Sequence, residues 1–142
     1  MVNARVETTA APDGSRLVHA RFDLSREEIA AAARAAEASR TEQFRHEVLT
    51  ADDVLLMREV TALADQLTSL AGHGGAVTLE LRPARLVAMR DALAAFVAHR
   101  DDAGFTREED REAYACAQAL AGPLADLSAD VLRAALDAAA PA

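Results

Sequence analysis

Twice in this chain, a segment with every second residue apolar stops at a helix-starting residue and runs straight into an apolar helix face. Phe22-Asp23-Leu24-Ser25 leads into Arg26-Glu27-Glu28-Ile29, and Leu79-Glu80-Leu81-Arg82 leads into Pro83-Ala84-Arg85-Leu86. Period-two alternation places one row of side chains on each side of a strand, so such a strand buries a single face. That face needs a cover, and the helices that follow at once are the nearest one. A duplication would leave this echo; the ordinary chemistry of a strand-to-helix junction explains it equally well.

The rest of the chain fills in the same plan. Val2, Ala4, Val6 and Thr8 alternate with Asn3, Arg5, Glu7 and Thr9, and Val18, Ala20, Phe22 and Leu24 alternate with His19, Arg21 and Asp23. Between them Ala11-Pro12-Asp13-Gly14 is turn chemistry, which predicts an antiparallel hairpin. Ser25-x-x-Glu28 is a capping box opening a helix over 26–39, with a stripe of small residues (Ile29, Ala32, Ala33, Ala36) facing inward. Phe44 and Val48 mark a helical turn or two within 40–50. Thr50-x-x-Asp53 then opens the best-patterned helix, whose seam is Leu56, Val60, Leu63, Leu67 and Leu70, with Gly72 as its stop.

After the loop His73-Gly74-Gly75, Val77, Leu79 and Leu81 alternate as a third strand. Pro83 suits the first turn of a helix buried through Leu86, Met89, Leu93, Phe96 and Val97 and broken at Asp101-Asp102-Ala103-Gly104. Thr106-x-x-Glu109 predicts another helix, turned inward through Tyr114, Ala117, Leu120 and Ala121 and ended by Gly122-Pro123. Ser128 is then the cap of a short last helix through Val131, Leu132, Ala135 and Leu136, and the Ala-rich tail frays from about 138. The expectation is a single α+β domain over 1–142. It has a three-stranded sheet, made of the N-terminal β-hairpin plus one later strand, with one face covered by four to five helices in the order β-β-α-α-β-α-α-α.

Composition narrows the chemistry. All 15 basic residues are Arg, which with the Ala content fits a GC-rich coding sequence. Without Lys there is no Walker A phosphate loop, no Schiff base and no lysine general base. A net charge of −8 argues against a nucleic-acid partner, as does the lack of a clustered basic recognition helix. No apolar run approaches the roughly 18 residues of a membrane span, and the first residues lack a signal-peptide core. The single cysteine, Cys116, suits a reducing, cytoplasmic setting, and its alanine neighbours offer nothing to activate the thiol.

Candidate sites are sparse. His19, His46, His73 and His99 show no paired zinc-ligand spacing, so neither metal nor cofactor is expected. His46-Glu47, close to Glu42, Asp52 and Asp53, is the densest mix of imidazole and carboxylate, and it could bind a ligand or be a solvated helix end. His73-Gly74-Gly75 has the look of an oxyanion-hole loop, but the Gly-x-Ser-x-Gly turn that such hydrolases need is missing. The second face of the sheet collects Arg5, Glu7, His19, Arg21, Asp23, Thr78 and Glu80. This reads as a cross-strand charge ladder or a shallow binding face centred on His19 and Arg21. The run Arg107 to Glu112 reads as the exposed first turns of a helix.

The expectation for function is therefore a non-catalytic, cytoplasmic interaction or accessory protein. It would self-associate as a homodimer or bind a protein partner through the Leu56–Leu70 seam and a sheet edge. The alternative is a small ligand-binding regulator or enzyme with its pocket near His19 and Arg21 or near His46 and Glu47.

Overall fold

The computed structural model describes residues 1–43, 50–103 and 108–139. Strands β1 (Val2–Ala10) and β2 (Arg16–Leu24) form the expected hairpin, followed by helices α1 (Arg26–Gln43) and α2 (Ala51–Ala71). Strand β3 (Val77–Leu81), helix α3 (Pro83–Ala103) and helix α4 (Glu108–Ala139) complete the order β-β-α-α-β-α-α. The sheet runs β1-β2-β3 with both pairs antiparallel, leaving β1 and β3 as its edges. The mixed α+β architecture is the one expected.

Local chemistry accounts for where the elements start and stop. The hairpin turn closes with the Gly14 N–H donating to the Ala11 carbonyl at 2.9 Å, and Gly14 takes φ 86°, a value glycine adopts without strain. Both described capping boxes are formed. The Ser25 N–H donates to Glu28 at 2.9 Å while the Glu28 N–H donates to Ser25 Oγ at 3.2 Å; Thr50 and Asp53 exchange the same bonds. The Thr106 box, Gly104, and the turn around Phe44 and Val48 lie outside the described residues.

Packing is one contiguous apolar cluster between the sheet and the helices. Val18, Ala20, Phe22 and Leu24 from β2 meet Leu79 and Leu81 from β3, and Ile29, Ala32, Ala33 and Ala36 of α1 are all buried. The small face of α1 lets it lie between α2, α3 and α4, touching all three. α4 covers β1 and β2.

Three expectations are corrected. First, Gly122-Pro123 does not end a helix, and Ser128 does not cap a new one. α4 runs through both, and Ser128 sits fully buried inside it. Leu120, Leu124, Leu127 and Val131 keep one buried stripe across the proline, so tertiary burial outweighs the lost backbone bond. Gly122 helps, because a residue before proline normally leaves the helical region through a clash involving its Cβ. Pro123→Ala is therefore expected to restore the missing N–H and raise stability by about 1–2 kcal/mol, read as a higher urea midpoint.

Second, the run from Arg107 to Glu112 is not wholly exposed. Asp110 is 3% exposed; it accepts from Arg34 Nε of α1 and lies 3.7 Å from Arg100 Nη2 of α3. Arg100 in turn lies 5.2 Å over the Phe96 ring. One carboxylate thus ties three helices. Asp110→Ala is expected to cost about 2–4 kcal/mol in denaturant unfolding, because it takes the buried counter-ion from two partly buried guanidiniums and leaves Arg34 only the exposed Glu109 at 3.5 Å.

Third, Val2 does not share the face of Val6. A bulge lies between Val2 and Arg5, with Asn3 at φ 55°, and it shifts Val2 opposite Asp23, where it is 62% exposed.

Candidate functional site: the open face and free edge of the sheet

No described element covers the second face of the sheet, and register fixes what meets on it. Arg5 faces Arg21, which faces Glu80; Glu7 faces His19; Asp23 faces Thr78. The like-charged Arg5–Arg21 contact is relieved by neighbours. Arg5 Nε donates to Glu7 Oε1 at 2.6 Å and Arg21 Nη1 to Glu80 Oε1 at 2.7 Å. His19 Nε2 lies 3.1 Å from the other Glu7 oxygen, Oε2. Asp23 accepts from Thr78 Oγ1 at 2.5 Å and from Asn3 Nδ2 at 2.8 Å.

These bonds set the local electrostatics. The Arg5 guanidinium holds the Glu7 carboxyl below the ordinary glutamate range, with His19 adding to the effect. The Thr78 hydroxyl, then Asn3, does the same for Asp23. Both carboxylates stay charged well into the acid range, so these two anions are lost only below the usual carboxylate pH. His19 is 16% exposed, Glu7 29% and Glu80 54%, a gradient from a lodged imidazole to a solvent-facing carboxylate.

The edge is as informative as the face. The Ala11 N–H donates to the Ser15 carbonyl at 2.8 Å, which makes that pair a hydrogen-bonded one. Along the unbroken register from Ala10↔Arg16 to Arg5↔Arg21, bonded and non-bonded pairs alternate. Thr9, Glu7 and Arg5 therefore direct their backbone groups to β2, while Thr8 and Val6 point theirs outward. The outer edge of β1 has no strand paired to it among the described residues.

The other predicted residues are distributed differently. Arg21 and His19 lie together on the open face, as read from the sequence. His46 and Glu47 lie outside the described residues. In the α2 seam, Val60, Leu63 and Leu67 are buried inside this chain, with Leu56 and Leu70 partly so; the outward apolar residues at that end are Val54 and Leu55. Leu56 and Val60 line a cavity of about 490 Å³ with Phe96, His99 and Arg100. Burial raises the Cys116 thiol above its ordinary value, with Glu28 pushing the same way. His73 Nδ1 meets the Ser69 carbonyl at 2.8 Å, as a helix-end contact. What sequence reasoning missed was the convergence of Glu7 and Glu80 on His19, since it depends on how three strands register.

No protein-family model, curated protein or solved structure matches the chain. Among the described residues no helix is long and apolar enough to cross a membrane.

Proposed function

We propose that this chain is a self-associating interaction protein in which two copies join antiparallel along β1 into a six-stranded sheet. The carrying observation is the charge pattern on the free edge strand. Arg5 and Glu7 flank Val6, whose backbone groups point outward. A two-fold axis at Val6 pairs Val6 with its copy through two backbone hydrogen bonds. It also sets Arg5 opposite Glu7 of the second copy, and Glu7 opposite the second Arg5. The neighbouring two-fold registers set Glu7 against Glu7 or Arg5 against Arg5, which like-charge repulsion disfavours, and an axis at Thr8 sets Glu7 against the neutral Thr9 and gains no ion pair. In the favoured register each guanidinium touches two carboxylates, and the pair within one chain becomes a ring of four.

The edge strand is nine residues long and free of proline and inward-pointing charge, so most of its length is open to pairing. The bulge at Asn3 limits the pairing at one end. Val6, half-buried in one chain, would be covered by its copy. The seam of α2 takes no part in this reading, because Val60, Leu63 and Leu67 are committed to the core. A cytoplasmic setting belongs to the same proposal and rests on the lone cysteine.

A single strand edge is small beside the roughly 1,200–2,000 Å² of a stable interface, so micromolar affinity is expected. Sedimentation velocity over a micromolar concentration series, with chelator present, should show a species of 15.0 kDa giving way to one twice as heavy. A lone 15.0 kDa species throughout would overturn the reading.

A further inference from the structure

We propose that Glu7, His19 and Glu80 form a binding site for a divalent transition-metal ion of the zinc type, lodged on the open face of the sheet. One side chain comes from each strand, and their ligand atoms all lie within 4.8 Å of one another. The ladder sets this convergence: Glu7 and His19 are direct partners, and Glu80 stands opposite Arg21, the next residue of β2 on the same face.

Each guanidinium engages one oxygen of its glutamate and leaves the other oxygen to a cation. Arg5 takes Oε1 of Glu7 and Arg21 takes Oε1 of Glu80, while Glu7 Oε2 is the oxygen turned to His19 Nε2. A cation can therefore replace the Glu7–His19 contact and keep both guanidiniums as outer partners. Such hydrogen bonds orient ligating carboxylates in metal sites. Two carboxylates balance two guanidiniums here, and Asp23 beside them adds a negative charge. A dication therefore does not enter a positive field.

Geometry and donor type favour zinc over magnesium. Zinc bonds of about 2.0–2.2 Å put tetrahedral donors roughly 3.4 Å apart; Glu7 and His19, at 3.1 Å, already stand near that spacing, and Glu80 needs to close by no more than about 1.4 Å. Two flexible glutamate side chains can supply that movement while the strands stay in place. An imidazole nitrogen selects zinc, nickel or copper over magnesium and calcium. With the face uncovered and Glu80 half exposed, the fourth position is left to water or an exchangeable ligand. The site lies within one chain, so it does not depend on self-association.

The test is isothermal titration of chelator-stripped full-length protein with Zn²⁺, and separately with Mg²⁺. One Zn²⁺ per chain is expected, with His19→Ala weakening it by about 30-fold or more and Glu80→Gln by about 10-fold. Mg²⁺ should give no binding, and His73→Ala and His99→Ala should bind Zn²⁺ like the parent. Circular dichroism checks that each variant is folded, and the visible spectrum of bound Co²⁺ should change in His19→Ala. Zn²⁺ binding weaker than about 100 μM would overturn the proposal. So would an affinity left unchanged by His19→Ala, or one lost in the His73 or His99 variants.

Discussion

Val6→Pro is expected to leave the fold standing and take the dimer apart. The Val6 N–H points away from β2, so proline removes no bond from the β1–β2 ladder. At the two-fold axis, however, each copy loses its donor to the other, and two outward carbonyls lose their partners. Two such bonds are worth about 2–3 kcal/mol, or roughly a 30- to 150-fold rise in dissociation constant. The melting midpoint measured at concentrations where the parent is monomeric should barely move. Charge reversal then tests the register. Arg5→Glu alone, or Glu7→Arg alone, sets like charges across the axis and should weaken association by about 1–3 kcal/mol. The double swap Arg5→Glu with Glu7→Arg restores opposite charges in that register alone, and association should recover.

The largest effect on stability is expected at Leu63→Asp. Leu63 is fully buried at the centre of the α2 stripe, within the same cluster as Leu67 and Ile29. Removing a buried leucine costs about 2–5 kcal/mol before any charge is added. A carboxylate there must either ionise without a partner or bury its proton. Against the roughly 5–15 kcal/mol that holds a domain of this kind, the variant should fail to fold or melt far below the parent. Leu55→Asp is the control: Leu55 lies eight residues earlier on the same helix and is 59% exposed, so its loss should change stability by less than about 0.5 kcal/mol. If Leu63→Asp melted normally, α2 would be facing the other way.

Much of the fold was legible because it is written in local chemistry. Alternation at Val18–Leu24 and Val77–Leu81 gave strands, and Ser25–Glu28 and Thr50–Asp53 gave helix starts, because each signal is satisfied within a few residues. What the sequence hid was decided across the chain. Gly122-Pro123 is a strong local stop, yet a stripe from Leu120 to Val131 on a shared core overrides it. Asp110 looks like one more surface acid until α1 brings Arg34 to it from 76 positions away. The bulge at Asn3 changes which face Val2 occupies, and nothing in the alternation announces it.

The candidate site was half legible for the same reason. Parity along each strand put His19, Glu7 and Glu80 on one face. Which of them meet depends on register, and register between β2 and β3 is settled by packing Phe22 against the core and not by a short turn. The outward edge at Val6 likewise follows from the bonding phase of the hairpin and not from residue type.

Amide hydrogen exchange at Val6, followed by NMR as the protein is diluted, tests the shared β1 edge most directly. If two copies pair there, the Val6 amide exchanges slowly in concentrated solution and quickens on dilution, while amides within the β1–β2 ladder stay protected throughout. Fast exchange at Val6 at every concentration would mean that the edge is open to water, and that the chain does not associate along β1.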